Sequence, residues 1–187
     1  LYVGTRSDSP HHISTAIRNG FAYPVVDAPI IIADGLRGKS ETPVTINQKR
    51  FKRVYIGREI VEANSFISVA HFKGHELSGF GGAIKNTGMG CASRKGKLAQ
   101  HSVVAPKVKA KKCVGCGDCI LRCSQKAIAL VETKAKISAK KCIGCGECIL
   151  ICPNSAIQIK WDQSIPTFLE NMVEYTLGAL KNKTDKD

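Results

Sequence analysis

Two stretches decide the fold: Lys112–Leu130 reads KCVGCGDCILRCSQKAIAL, and Lys141–Ile159 reads KCIGCGECILICPNSAIQI. Eight of the nine cysteines fall in them, as Cys113, Cys116, Cys119, Cys123 and Cys142, Cys145, Cys148, Cys152. Each run is C-x2-C-x2-C-x3-C. Cysteines this close on adjacent turns rarely pair with one another, and nothing at the N-terminus reads as a secretion signal, so a disulfide framework is disfavoured. A zinc site usually draws on two separated pairs or on added His. Three thiolates from one tight loop, with a fourth standing apart, suit a [4Fe–4S] cube.

The stretches repeat at an offset of 29 residues, with 11 of 19 positions identical. Gly115, Gly117, Gly144 and Gly146 let each loop wrap a bound group and turn N–H groups toward its sulfurs. Ile120-Leu121 and Ile149-Leu150 open short helices, and Ala127–Leu130 and Ala156–Ile159 read as strands. The whole resembles the two-cluster bacterial ferredoxin domain over about residues 107 to 161. That resemblance implies crossed ligation: Cys113, Cys116, Cys119 and Cys152 on cluster one, and Cys142, Cys145, Cys148 and Cys123 on cluster two. It also implies a domain that folds with its two [4Fe–4S] clusters. One departure stands out: Cys152 is followed by Pro153, as the resemblance expects, but Cys123 by Ser124. A looser turn or a shifted potential is expected there.

Charge is the second signal. The chain has 187 residues and a formal net charge of +13. Residues 77 to 117 hold no Asp or Glu and eight cations: Lys85, Arg94, Lys95, Lys97, Lys107, Lys109, Lys111 and Lys112. Such a block marks a surface for an anionic partner, or a solvated linker. An acidic electron-transfer protein, a ferredoxin or flavodoxin, is the expected partner, and a small anionic ligand a further one. No recognition-helix or aromatic-platform pattern accompanies the block, which argues against nucleic acid. The apolar run around Ile30 to Ala33 is far short of the roughly 20 residues a membrane helix needs, so a cytoplasmic protein is expected.

Residues 1 to 106 read as α/β. Asp8-Ser9-Pro10 caps a helix over about 10 to 19, closed by Gly20. Ile30–Ala33 is expected to be a buried strand, Val44–Asn47 and Phe51–Ile56 a hairpin, Arg58–Asn64 a helix, and Phe66–Phe72 a further strand. After it comes a stretch from His71 to Cys91 with six of the 17 glycines. It is neither G-x-x-x-x-G-K-[ST] nor G-x-G-x-x-G, which disfavours an orthodox nucleotide site. Dense glycine at the carboxyl end of a strand suits a ligand or an anion nest. His71, Lys73, His75, Glu76 and Lys85 are the candidate catalytic residues, with His75 or Glu76 moving a proton and Lys85 holding an anionic group. His11 and His12 are expected at the surface, His101 beside the Gly-rich site, and Cys91 as a small buried hydrophobe. The tail from Ser164 to Lys181 predicts a helix with apolar residues at 165, 168, 169, 172, 173, 176, 177 and 180.

The segment HFKGHELSGFGGAIKNTGMGCASRKGKLAQHS, with APIIIADGLRG upstream and the doubled cysteine runs downstream, resembles the iron–sulfur family called "domain of unknown function 362". The resemblance covers essentially all the chain and implies that it is an internal piece of a longer protein. The fold class expected is an α/β domain with an inserted α+β ferredoxin-like domain. The expected boundaries are 1–106, 107–161 and a C-terminal helix over 162–187 that packs back on the first domain. The function expected is electron transfer to or from a ligand site in the α/β domain, as an oxidoreductase or a subunit of one. The alternatives are a simple ferredoxin-type carrier, and a non-redox enzyme or binding module with structural clusters.

Overall fold

A computed structural model of the chain describes residues 6–75, 78–101, 105–142, 144–159 and 164–183. It is a mixed α/β architecture built from small two-stranded sheets. The N-terminal half holds α1 (Ser9–Arg18), α2 (Tyr23–Val26), β1 (Glu41–Thr45), β2 (Arg53–Gly57) and α3 (Arg58–Glu62). It continues through β3 (Lys73–His75), β4 (Gly79–Gly81), α4 (Ala83–Lys85), a π-helical turn (Asn86–Gly90) and α5 (Arg94–His101). The cysteine region holds β5 (Lys107–Val108), α6 (Asp118–Arg122), β6 (Ile128–Val131), β7 (Lys134–Ile137), α7 (Glu147–Ile151) and β8 (Ile157–Gln158). A long helix, α8 (Ile165–Leu180), follows.

Local chemistry sets several of these ends. The Asp8 carboxylate accepts from His11 N at 3.0 Å, satisfying an N–H that α1 leaves open, and Pro10 lies in the first turn. Ser164 caps α8 in the same way, ahead of Pro166. β1 and β2 pair antiparallel with Val44 opposite Val54, as the alternating sequence predicts. Val54 and Ile56 point into the core and are fully buried, each contributing about 1.5–3 kcal/mol.

Two buried clusters organise the molecule. One joins Val44, Ile46, Val54, Ile56, Cys91 and Ala92 to Tyr175 and Ala179 of α8. The Phe51 ring meets the Tyr175 ring edge-on at 5.1 Å. The other joins Leu98 of α5 to Cys113, Cys119, Ile128, Cys148, Ile149 and Ile157. α8 packs on the hairpin through a face that shares Phe168 and Met172 with the expected stripe but is rotated from it. Asn171, Tyr175 and Gly178 are buried with Phe168 and Met172, whereas Ile165, Val173, Leu177 and Leu180 are exposed. The reason is hydrogen bonding: Asn171 Nδ2 donates to Gln100 O at 3.1 Å, and Gln100 Nε2 to Gly88 O at 2.9 Å, drawing the polar residues inward.

Two expected strands are absent among the described residues. Ile30–Ala33 has no ladder partner, and Ile31 is exposed. Phe66–Phe72 also runs unpaired, with Ile67 87% and Val69 91% exposed; the strand begins only at Lys73. An apolar run becomes a strand only where a neighbour completes its backbone hydrogen bonds, and neither run meets one here. The expected helix over 58 to 64 ends early, at Glu62.

Candidate functional site

The two cysteine runs adopt matching local structures. In each, the second loop glycine lies in the left-handed region and opens the helix: Gly117 for α6 (φ +85°), Gly146 for α7 (φ +72°). Gly115 is doubly constrained, since at φ +73° a Cβ would also lie 2.4 Å from Thr133 O. Each helix ends at the last cysteine of its run in extended backbone, and the turn that follows aims an N–H back at that sulfur. Ala127 N donates to Cys123 Sγ at 3.2 Å, and Ala156 N to Cys152 Sγ at 3.2 Å. Lys126 and Ser155 take the same left-handed conformation (φ +47° and +48°). The Ser124 turn therefore superposes in kind on the Pro153 turn, and the looser turn expected after Cys123 does not occur.

Strand pairing brings the runs together. β6, after the first run, pairs with β7, before the second; β8, after the second, pairs with β5, before the first. This exchange sets the runs against each other and carries the last cysteine of each toward the other loop, Cys152 to Cys113, Cys116 and Cys119, and Cys123 to Cys148. Cys113, Cys116, Cys119 and Cys152 line one narrow cavity, together with Pro153 and Ala156. On the other side, burial and then the neighbouring thiols of Cys145 and Cys142 push the Cys148 thiol up to about 12, with Cys119 and Cys123 adding to it. Burial raises Cys119 as well, with Cys116 and Cys152 contributing, while the N–H of Ala135 lowers Cys113. A bound cationic group would offset the repulsion among thiolates set this close. Among the described residues no three His, Cys, Asp or Glu close on a single-ion site; the four thiols surround a cavity instead.

A larger cavity of about 740 Å³ lies in the N-terminal half. His75, Lys85 and His101 stand at its wall. His71 and Lys73 are exposed and stand outside that wall, and Glu76 lies outside the described residues. Dense glycine in this stretch serves packing in part: a Cβ at Gly88 would lie 2.3 Å from Met172 O, so α8 can approach only glycine there. His12 is not a surface residue but lines the cavity, half-buried; burial and then Arg6 lower its pKa. Cys91 is buried at the same wall.

Sequence reasoning missed Arg94, Lys97 and Phe168 in that wall. The first two were legible, because 94, 97 and 101 share one helical face. Phe168 was not: it arrives from α8 and stacks on the His101 ring at 5.2 Å. The basic block divides in consequence. Arg94 is ion-paired with Glu147, both side chains only 7% exposed, and donates to Ser7 O at 2.8 Å. Lys97 lies 3.8 Å from Asp34, and Lys95 sits 3.5 Å over the Tyr55 ring. Lys107, Lys109, Lys111 and Lys112 remain exposed on the approach to the first cysteine loop.

Burial, reinforced by Lys85, pushes the His101 imidazole down to about 4 from an ordinary 6.5. The unfolded chain then takes up a proton that the folded one refuses, so stability falls as pH drops from 6.5 toward 4. We expect His101→Phe to lose about 1.5 kcal/mol less than the parent between pH 6.5 and pH 5, measured by denaturant unfolding. Parallel pH profiles for the two proteins would contradict this.

A mixed α/β protein with two linked cysteine loops beside a cationic cavity defines the class. The chain matches the family described as Domain of unknown function (DUF362) over residues 1–184 and belongs to it. No curated protein matches it significantly. No helix among the described residues is long and apolar enough to cross a membrane.

Proposed function

We propose that this protein binds two [4Fe–4S] clusters and transfers electrons between an external acidic carrier and the cavity of the N-terminal half. The observation that carries the reading is that Cys152 of the second run shares a cavity with Cys113, Cys116 and Cys119 of the first. Three thiols of one loop plus the last thiol of the other is the crossed donor set of the two-cluster bacterial ferredoxins, whose domain residues 107–161 resemble. The donor chemistry fits: soft thiolates, N–H groups bonded to sulfur, and a mostly apolar lining. Each cube, when bound, accepts and returns one electron.

The chain's own residues do the rest. Cys113, Cys116, Cys119 and Cys152 hold cluster one; Cys142, Cys145, Cys148 and Cys123 hold cluster two. The N–H groups of Ala127, Ala135 and Ala156 donate to ligand sulfurs and stabilise added negative charge. Helix α5 borders both the cysteine region and the cavity. Leu98 packs into the cysteine core, and Arg94, one turn before it on the same face, lines the cavity while pairing with Glu147 of the cysteine region.

The exposed Lys107, Lys109, Lys111 and Lys112 supply positive potential beside the first loop, suited to an acidic ferredoxin or flavodoxin. The test has two readouts on anaerobically reconstituted protein. Potentiometric titration should show reversible reduction; a cluster signal that cannot be cycled would reassign the clusters to a structural role. Replacing the four lysines with Gln should slow electron transfer from such a carrier mainly at low ionic strength, since attraction is screened over about 8 Å at physiological salt. A parent rate independent of salt would reject the docking face.

A further inference from the structure

The 740 Å³ cavity is of a size that encloses a small organic molecule, and its wall is mixed. Ile31, Ile32, Ile60, Met89 and Phe168 supply apolar lining, with Phe168 stacked on His101. Lys85, Lys97, Arg6 and Arg94 bring positive charge. Local partners account for part of that charge: Glu147 neutralises Arg94, and Asp34 lies near Lys97. Of the two wall carboxylates, Asp8 is engaged by His11 at 2.6 Å. Among the described residues neither Lys85 nor Arg6 has a carboxylate partner, and the closest charge influence on Lys85 is like-signed Lys73. Partial burial of Lys85 without a counter-ion is unfavourable, and a bound anion removes that penalty, while Arg6 is exposed and adds charge without one.

We propose that this cavity binds a small organic anion, its carboxylate or phosphoryl head held by Lys85 and Arg6 and its apolar body laid against Ile31, Ile60 and Phe168. The size of the cavity and its apolar lining select against bare inorganic anions, which could use only the cationic groups. Binding stands on the cavity's own walls; only its redox meaning rests on the clusters proposed above.

Calorimetric titration of the anaerobically reconstituted protein tests it, with benzoate, phenyl phosphate, acetate, orthophosphate and neutral benzyl alcohol as probes. At least one aromatic anion should bind saturably and about tenfold more tightly than its small counterpart and than benzyl alcohol. Tighter benzoate identifies a carboxylate head; tighter phenyl phosphate identifies a phosphoryl head. Lys85→Gln should weaken the preferred anion about tenfold while leaving benzyl alcohol unchanged, and Arg6→Gln, at an exposed position, should act in the same direction without risk to folding. Equal binding of the neutral probe, unchanged affinity in both variants, or no saturation by either aromatic anion would overturn the inference. The visible spectrum of the same samples keeps the two readings apart. Clusters without anion binding reject the cavity; anion binding without clusters rejects the electron-transfer function.

Discussion

Replacing Cys123 with Ala should cost the protein the cluster held by Cys142, Cys145 and Cys148, not the one nearest in sequence. The expectation follows from the strand exchange, which sends the last cysteine of each run toward the opposite loop. About half the iron should be lost, roughly four atoms of eight. Adding Cys145→Ala to Cys123→Ala should remove little more, because both sulfurs serve one cluster. Adding Cys116→Ala instead should remove nearly all. Iron analysis after gel filtration reads the difference, and a Cys116→Ala, Cys123→Ala double variant that keeps half its iron would reject the crossing.

The second large effect concerns the contact between the two halves. Arg94 of α5 and Glu147 at the start of α7 form a buried ion pair, with Lys39 4.0 Å from the same carboxylate. Removing one partner leaves the other charge buried with little compensation, at a cost of about 3–5 kcal/mol. Glu147→Ala should therefore lower the melting temperature of the cluster-loaded protein by roughly 10 °C. An Arg94→Met, Glu147→Leu double variant should recover most of that loss, because an apolar pair of similar volume has no charge to desolvate. The matching position in the first run, Asp118, is only half-buried, and Asp118→Ala should shift the midpoint little. A shift below about 2 °C for Glu147→Ala would mean that the pair does not hold the halves together.

How much of this was legible in the sequence depended on whether the signal was local. The cysteine loops, the short helices around Ile120 and Ile149, the hairpin around Val44 and Val54, and the capped helices α1 and α8 follow from spacing, caps and alternation within short windows. Ile30–Ala33 and Phe66–Phe72 misled because an apolar run states only that burial is favourable, while a strand also needs a partner. The face of α8 misled because Asn171 and Tyr175 look like solvent positions until Gln100 and Phe51 are brought against them. The cavity was half legible. His75 and Lys85 come from the Gly-rich stretch, and Arg94, Lys97 and His101 from one helical face, but Phe168 and His12 are joined to them only by tertiary packing. The role of Glu147 was hidden for the same reason: its partner lies 53 residues upstream.

We propose above all that the eight paired-run cysteines carry two iron–sulfur cubes. The most direct test is the iron and acid-labile sulfide content of the anaerobically reconstituted chain. About eight iron and eight sulfide per chain are expected, with a broad absorption that bleaches on reduction. One or two zinc atoms per chain and no sulfide would contradict it.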